Sequence, residues 1–293
     1  MKPFAFAAPE TLEQLVALLV ERGPAARLLA GGTDLIVRLR SGRAVPALVV
    51  DIKRVRDLSR EIDEADGVLR IGAAVTMRTI TGDARVRRHF PALIESASVV
   101  GSVQIRNRAT LAGNICNASP AADTAPALLV YGAIVNIVGP AGARRVPLDG
   151  FFAGPGRTVL QPAELVSSID LPIPTAPAGA AFGRVTRRRG VDLATINLCV
   201  LVNAEGGGRF AFGAVAPTPV LAIDRGDLLA AARGDAGDLS ATLRPLFADT
   251  SPISDVRGSR EYRLAMLDVM TRRTLAAAIE RLGSPPHGRR SPA

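Results

Sequence analysis

The chain has 293 residues, of which 48% are hydrophobic and 22% are charged, a balance typical of a globular protein long enough for two compact units. Its apolar runs are far shorter than the ~20 residues that a membrane helix needs, so no membrane span is expected. Its formal charge of +9 is compatible with nucleic-acid binding, but the arginines are spread along the chain and aromatic residues make up only 4%, so no nucleic-acid partner is expected.

The first part of the chain is predicted to alternate helices and strands. Its opening, "MKPFAFAAPETLEQ", has an apolar stretch too short for a secretory signal, which predicts a cytoplasmic protein. Residues 11–22 predict an amphipathic helix, because Thr11 and Gln14 form a capping box and Gly23 suits its C-terminal end. "ARLLA", "ALVVDI" and "VLRIGAAVT" predict strands, "LIVRLRSG" predicts a short helix, and a mostly helical region extends to about Ser98.

The later part of the chain is predicted to contain a second, partly antiparallel region. "TAPALLVYG" predicts a helix capped by Asp123 and ended by Gly132, and "AIVNIVG" predicts a strand. Residues 171–180 are rich in proline and small residues, which is typical of an interdomain linker. "LATINLCVLV" and "RFAFGAVA" predict an antiparallel pair of strands, a long helix is expected at 259–282, and residues 284–293 are expected to form a disordered tail.

The cysteines and histidines limit the chemistry that the chain can carry alone. Cys116 and Cys199 are too few for an iron–sulfur cluster, which needs about four thiolates. With His89 and His287 they are scattered without ligand spacing, so no metal site is expected. His89 lies among charged residues and is expected at a solvated helix end, so no catalytic residue is identified.

The stretch "LLAGGTDL" is the first candidate for a ligand-binding loop. Glycines between a strand and a helix leave main-chain N–H groups unpaired and allow a phosphate to come close. The alternative is an ordinary tight turn in which Thr33 or Asp34 caps the helix. Asp34 would repel a phosphate, so its side chain must point elsewhere. Neither the Rossmann fingerprint nor the P-loop pattern is present.

The stretch "RATLAGNICNASPAADTAP" is the second candidate. Thr110, Gly113 and the small residues between them suit a close approach to the main chain. The segment that follows is polar, small and stiffened by Pro120, unlike a surface helix. A polar loop that crosses between domains is the alternative.

Together these stretches resemble the two flavin-binding signatures of the FAD subunit of molybdenum hydroxylases, such as the medium subunits of xanthine, nicotinate and carbon monoxide dehydrogenases. The likeness continues through "LQPAELVSSIDLPIP", "AAFGRVTRRRGVDLATIN" and "RGSREYRLAMLDVMTRRTL" and covers residues 1–282. It implies an α+β chain. Residues 1–175 would form an FAD-binding domain of the vanillyl-alcohol-oxidase (PCMH) type with subdomains at about 1–55 and 56–175. Residues 176–283 would form a C-terminal domain of the CO dehydrogenase flavoprotein type, with a small antiparallel sheet and helices.

The resemblance also implies a site for FAD whose pyrophosphate lies between the two glycine loops. No histidine is placed to attach a flavin, so the FAD would be bound non-covalently. Asp123 matches an acidic position that contacts the cofactor, and Arg184, next to Gly183, stands where the family commonly carries a lysine. The implied cofactor-binding residues are Leu28, Leu29, Ala30, Gly31, Gly32, Thr33, Asp34, Leu35, Gly101, Thr110, Leu111, Ala112, Gly113, Asn114, Asp123, Val166 and Arg184.

The sequence is compatible with three functions. The resemblance implies an electron-transfer subunit of a hetero-oligomer, in which a large subunit holds molybdopterin and a small subunit holds two [2Fe–2S] clusters. The FAD of this chain would then pass electrons to NAD⁺, a quinone or oxygen. The second possibility is a stand-alone FAD-dependent oxidase or dehydrogenase, for which no catalytic base is identified. The third is a non-enzymatic basic binding module that docks an acidic protein, which the glycine loops disfavour.

Overall fold

The computed structural model describes residues 1–225, 228, 232 and 239–283, so the tail expected at 284–293 lies outside the described residues. The strands are β1 (Ala5–Ala7), β2 (Ala26–Leu29), β3 (Leu48–Asp51), β4 (Ile62–Ala65), β5 (Val68–Gly72), β6 (Ile134–Gly139), β7 (Gly142–Pro147), β8 (Phe152–Gly154), β9 (Arg157–Thr158), β10 (Leu165–Pro172), β11 (Ala178–Val185), β12 (Ile196–Asn203), β13 (Gly208–Gly213) and β14 (Val220–Asp224). The α-helices are α1 (Leu12–Arg22), α2 (Leu35–Arg40), α3 (Met77–Gly82), α4 (Ala84–His89), α5 (Pro91–Ser98), α6 (Val103–Arg106), α7 (Leu111–Cys116), α8 (Thr124–Val130), α9 (Leu239–Leu243) and α10 (Arg260–Gly283). The expected α+β class is confirmed.

The chain divides into two compact units that exchange segments along the sequence. The first unit consists of Met1–Ile80, Gly101–Ser119 and Gly132–Pro172. The second unit consists of Thr81–Val100, Pro120–Tyr131 and the chain from Ile173 onward. The polypeptide therefore leaves the first unit and returns to it twice before the second unit is completed.

The first unit contains a three-stranded parallel sheet in the order β1-β3-β2 and a five-stranded antiparallel sheet in the order β4-β5-β10-β6-β7. The predicted caps of α1 are confirmed. The Thr11 hydroxyl accepts from the N–H of Gln14 at 3.2 Å, and Gly23 ends the helix with φ of +50°. The amide oxygen of Gln14 accepts from the N–H of Glu10 at 2.9 Å, one residue before the position that a capping box would use.

The strands β4 and β5 form a hairpin that the sequence reading did not identify. Its turn residues Asp66 and Gly67 have φ of +51° and +72°, which is the left-handed pair of a type I′ turn. The strand β10 then lies between β5 and β6 at the centre of the sheet, and it runs to Pro172 inside the stretch that was predicted to be a linker. The irregular connection to β11 is correspondingly shorter than expected.

The second unit is built on an antiparallel sheet in the order β11-β12-β13-β14, and the predicted pairing of β12 with β13 is confirmed. The long helix α10 packs against β11 and β12, close to its predicted bounds. A Cβ atom at Gly179 would overlap the carbonyl oxygen of Ala278, so this glycine lets helix and strand approach closely. The core between them includes Leu198, Phe210 and Leu275, all of which are buried.

Asp170 is the most buried acidic side chain of the first unit, and it forms a cluster with two arginines. Its side chain is 1% exposed, and it accepts from Arg70 at 2.8 and 3.0 Å and from Arg145 at 3.3 Å. Burial alone would raise the pKa of Asp170. The hydrogen bonds from Arg70 and Asn136 and the charges of the two arginines outweigh burial and lower the pKa below its ordinary value.

We predict that Asp170→Asn lowers the free energy of unfolding at pH 7 by about 2 kcal/mol, because charge-assisted hydrogen bonds are lost. A carboxylate whose pKa is lowered by folding stabilises the protein above its unfolded pKa of about 3.9, and this stabilisation is lost as the pH falls through the folded pKa. The difference between wild type and variant should therefore shrink below about pH 4. Urea unfolding across this range measures it.

Glu10→Gln is the matched control, because the pair of Glu10 with Arg56 is also short at 2.6 Å but largely exposed. We expect this variant to lose at most about 1 kcal/mol. Equal losses in the two variants would contradict the role assigned to the buried cluster.

Candidate functional site

The first glycine stretch, residues 28–35, connects β2 to α2 in the first unit. Gly32 has φ of +76°, a conformation that side chains rarely adopt. Within the described part of the chain, the main-chain N–H groups of residues 31–34 donate to no acceptor. The Asp34 side chain makes no hydrogen bond to α2, so the alternative of a helix capped by Asp34 is wrong. A run of unpaired N–H groups is the arrangement that binds an anion.

The second stretch is not the open loop that its glycine and small residues indicated. The segment from Leu111 to Cys116 is the short helix α7, and Thr110 caps it by accepting from the N–H of Gly113 at 3.0 Å. Gly113 does not have a positive φ, so its role is not conformational freedom. A Cβ atom there would come within 2.8 Å of the Thr110 hydroxyl, which makes Gly113 part of a tight cap.

The structure brings the two stretches into direct contact. A Cβ atom at Gly31 would overlap the carbonyl of Arg108, so the main chains touch where a side chain would not fit. Asn117 donates to the Asp34 carboxylate at 3.4 Å, and Arg38 donates to the Asn117 amide oxygen at 2.5 Å. The Asp34 carboxylate thus has a donor in the second stretch.

Two further expected residues, Gly101 and Val166, also lie in the first unit. Gly101 has φ of +53° and precedes α6, and a Cβ atom there would come within 2.6 Å of the Ile105 side chain. Val166 is a buried residue of β10, at an irregularity in the pairing with β6 between Val166 and Ser168. The extra residue at this bulge is Ser167, whose carbonyl accepts from the N–H of Ala73 at 3.0 Å.

Asp123 and Arg184 form a buried ion pair in the second unit. The Arg184 guanidinium donates to the Asp123 carboxylate at 2.9 Å and to the Val99 carbonyl at 3.1 Å, and the Asn197 amide donates to the same carboxylate at 3.0 Å. Burial raises the pKa of Asp123, while the hydrogen bond from Asn197 and the charge of Arg184 oppose that rise. Asp123 stands at the N-cap position of α8 but does not cap it through its side chain, so the predicted capping is wrong. Its carboxylate is already occupied by Arg184 and Asn197.

Several residues at these sites were missed by the sequence reading. Arg38 and Asn117 reach each other across 79 positions, and Asn197 reaches Asp123 across 74, so no local pattern could reveal either contact. Lys53 donates to the carbonyl of Ala30 at 3.2 Å, at the start of the first glycine stretch. The rarity of lysine in this chain is a signal that could have drawn attention to it.

The remaining candidates for chemistry behave as structural groups. His89 is the last residue of α4, as expected of a helix end. Cys116 and Cys199 form no disulfide, and burial raises the pKa of the Cys116 thiol to about 12, which disfavours a reactive thiolate. Across the described residues, no three His, Cys, Asp or Glu side chains are grouped so that they could hold a metal ion. None of the described helices is long and apolar enough to cross a bilayer.

Comparison with protein families matches both parts of the chain. Residues 2–174 match the family described as "FAD binding domain in molybdopterin dehydrogenase". Residues 181–278 match the family described as "CO dehydrogenase flavoprotein C-terminal domain". The first match contains both glycine stretches and Asp123, and the second contains Arg184.

Characterised relatives and solved structures agree with these matches. The xanthine dehydrogenase FAD-binding subunit of Escherichia coli O157:H7 is 34% identical over 93% of this chain and 95% of its own length. The carbon monoxide dehydrogenase medium chain of Afipia carboxidovorans is 32% identical over 94% of this chain and 96% of its own. The carbon monoxide dehydrogenase structure from Hydrogenophaga pseudoflava superposes with a TM-score of 0.86 and 32% identity, covering 96% of this chain and 99% of that one.

We predict that Gly31→Ala lowers the free energy of unfolding by about 1–3 kcal/mol, because the added methyl group must push the main chains of Gly31 and Arg108 apart. Denaturant unfolding measures the change. Gly82→Ala is the matched control, since a Cβ atom at Gly82 meets nothing within 4 Å and φ is not positive there. A Gly31→Ala variant as stable as the control would show that the contact between the stretches is not tight in solution.

Proposed function

Because this chain belongs to the family of FAD-binding subunits of the xanthine dehydrogenase and CO dehydrogenase type, we propose that it is the electron-transfer subunit of a molybdenum hydroxylase complex. It is an oxidoreductase subunit, and FAD is its cofactor. The chemistry that bound FAD supplies is to take electrons from the [2Fe–2S] clusters of a small partner subunit and to pass them to an acceptor such as NAD⁺ or a quinone. A large partner subunit holds the molybdopterin.

The residues of the first glycine stretch fit the phosphates of FAD. The unpaired N–H groups of residues 31–34 form a main-chain cradle for a pyrophosphate, and this observation carries the proposal. The contact from Asn117 holds the Asp34 carboxylate, and Arg38 adds a positive charge beside the pair. In this proposal the first-unit residues named from the family resemblance, including Thr110, Gly113 and Val166, line the cofactor.

The cysteine content supports the placement of FAD and the iron–sulfur clusters in different subunits. Cys116 and Cys199 are the only cysteines of the chain, and two [2Fe–2S] clusters need about eight thiolates. The clusters must therefore come from a partner if they are part of the complex. A stand-alone flavin oxidase would also need a base or acid beside the flavin, and the two acids among the named site residues already have partners, since Asp34 accepts from Asn117 and Asp123 is paired with Arg184.

The finer architecture is part of the same proposal. Residues 1–175 form the PCMH-type FAD-binding domain with subdomains at about 1–55 and 56–175, and residues 176–283 form the C-terminal domain. The family matches at 2–174 and 181–278 support this boundary. The cytoplasmic location is likewise a proposal.

We predict that the purified chain binds FAD but oxidises no organic substrate unless its molybdenum and iron–sulfur partners are present. Insertion of oxygen from water into a C–H bond needs a centre that accepts electrons and delivers the oxygen, and the described residues contain no group of His, Cys, Asp and Glu that could hold a metal ion. The measurement is substrate-dependent dye reduction, with the chain alone and with coexpressed partners, at matched FAD content. Robust turnover by the lone chain would favour the stand-alone flavoenzyme.

We predict that Gly32→Val abolishes retention of FAD while most of the fold remains. Gly42→Val is a matched control, because Gly42 also has a positive φ, of +70°, but a Cβ atom there meets nothing within 4 Å. Both variants pay a backbone strain of about 1–3 kcal/mol. Only Gly32→Val adds a Cβ atom that comes within 2.8 Å of the Leu29 side chain inside the first glycine stretch, which must shift the main chain of the cradle. FAD content after dialysis should therefore fall in that variant alone. Similar FAD content in both would show that the stretch does not bind the cofactor.

A further inference from the structure

Lys53 contacts the start of the first glycine stretch through its side chain. The chain contains only two lysines, Lys2 and Lys53, among its 36 basic residues. Lys53 belongs to the short 3-10 helix that follows β3, and its side chain is 30% exposed. Its ammonium group lies 2.6 Å from the Asp51 carboxylate and 3.2 Å from the Ala30 carbonyl oxygen. The same carboxylate oxygen accepts the main-chain N–H of Lys53 at 2.9 Å, so both ends of the lysine are held by one acid.

The hydrogen bond to Ala30 determines where the next N–H group points. The Ala30–Gly31 peptide is trans, because no cis peptide bond is found in the described chain. In a trans peptide the carbonyl and the following N–H point in opposite directions. When Lys53 holds the Ala30 carbonyl on the β3 side, the N–H of Gly31 is therefore turned to the opposite side. That N–H is the first of the unpaired run at residues 31–34.

Gly31 cannot easily compensate for a loss of this hydrogen bond. The main chain of Arg108 lies against its Cα atom, so the peptide is held on one side by that contact and on the other by Lys53. Glycine itself has the widest choice of backbone conformations, so the peptide plane needs an external partner to be fixed. The charge of Lys53 is largely offset by Asp51 at 2.6 Å, which makes its contribution one of orientation more than of long-range attraction.

We propose that Lys53 is a positioning residue for the cofactor phosphates: by holding the Ala30 carbonyl, it aims the Gly31 N–H into the main-chain cradle. This inference rests on the proposed binding of FAD by the first glycine stretch. Lys53 acts through the Ala30–Gly31 peptide, and the contact with the phosphate is made by the N–H of Gly31.

The test compares Lys53→Met, Lys53→Arg and the control Lys2→Met by titration of the FAD-free chain with FAD. Methionine keeps the length of the side chain but removes the donor, so the dissociation constant for FAD should rise about tenfold or more, as expected for a lost charge-assisted hydrogen bond. Arginine can still donate to Ala30 and Asp51, so Lys53→Arg should stay within about threefold of wild type. Lys2→Met should bind FAD as wild type does. A purely structural role would lower the unfolding midpoint of the FAD-free chain without this pattern of loss and rescue.

A second measurement needs no variant. Wild-type chain is acetylated with acetic anhydride, with and without saturating FAD, and the modification of Lys53 and Lys2 is followed by mass spectrometry. Acetylation requires the Lys53 amine to leave Ala30 and Asp51, so bound FAD, which fixes the glycine stretch, should slow the reaction of Lys53 several-fold and leave Lys2 unchanged.

The outcomes distinguish failure of the proposed FAD binding from failure of the role proposed for Lys53. Wild-type chain that binds no FAD would overturn the proposed function. Wild-type binding with equal affinity in Lys53→Met, an arginine variant as weak as the methionine variant, or Lys53 acetylation that ignores FAD would each overturn the role of Lys53 alone.

Discussion

In the first unit, the main chain of Gly31 lies so close to the carbonyl of Arg108 that a single methyl group would not fit between them. Two stretches that are distant in sequence are thereby joined at the backbone, where the contact does not depend on side-chain rotamers. The contacts of Asn117 with Asp34 and of Arg38 with Asn117 then become possible, because their main chains are already adjacent. The candidate cradle is thus a consequence of close packing between two segments of the chain.

This packing leaves main-chain N–H groups of the first glycine stretch without a protein acceptor, and a ligand can supply one. Main-chain N–H groups are strong donors, and a group without a protein partner must be satisfied by water or by a ligand. Gly31, Gly32 and Thr33 are only partly exposed, so a ligand with several acceptor oxygens can replace water there at little cost in desolvation. A ligand that binds the folded chain and not the unfolded chain stabilises the fold by linkage. In the proposed site, FAD would therefore contribute to the stability of the first glycine stretch.

The sequence predicted the elements that depend on local chemistry. The helix α1 follows from Thr11 and Gly23, and the pairing of β12 with β13 follows from two apolar runs around a glycine turn. The wrong predictions concern side chains that bind a residue distant in the sequence and not the local groups expected. Asp123 has the right position and type to cap α8, but Arg184, 61 positions away, is a stronger partner than the helix N–H groups. Both glycine stretches were found by their composition. The contact between them was not predicted, because no sequence pattern around Arg108 indicates that its carbonyl packs against Gly31.

The ion pair in the second unit shows how a buried charge restricts what its partner can do. The Arg184 guanidinium donates to Asp123 and also to the carbonyls of Val99 and Asp192, at 3.1 and 3.4 Å. A lysine has three donors on one nitrogen and could not span these acceptors with the same fixed geometry. The burial that raises the pKa of Asp123 also strengthens its attraction to the Arg184 guanidinium. The pair, together with Asn197, consequently holds the Asp123 carboxylate in one position.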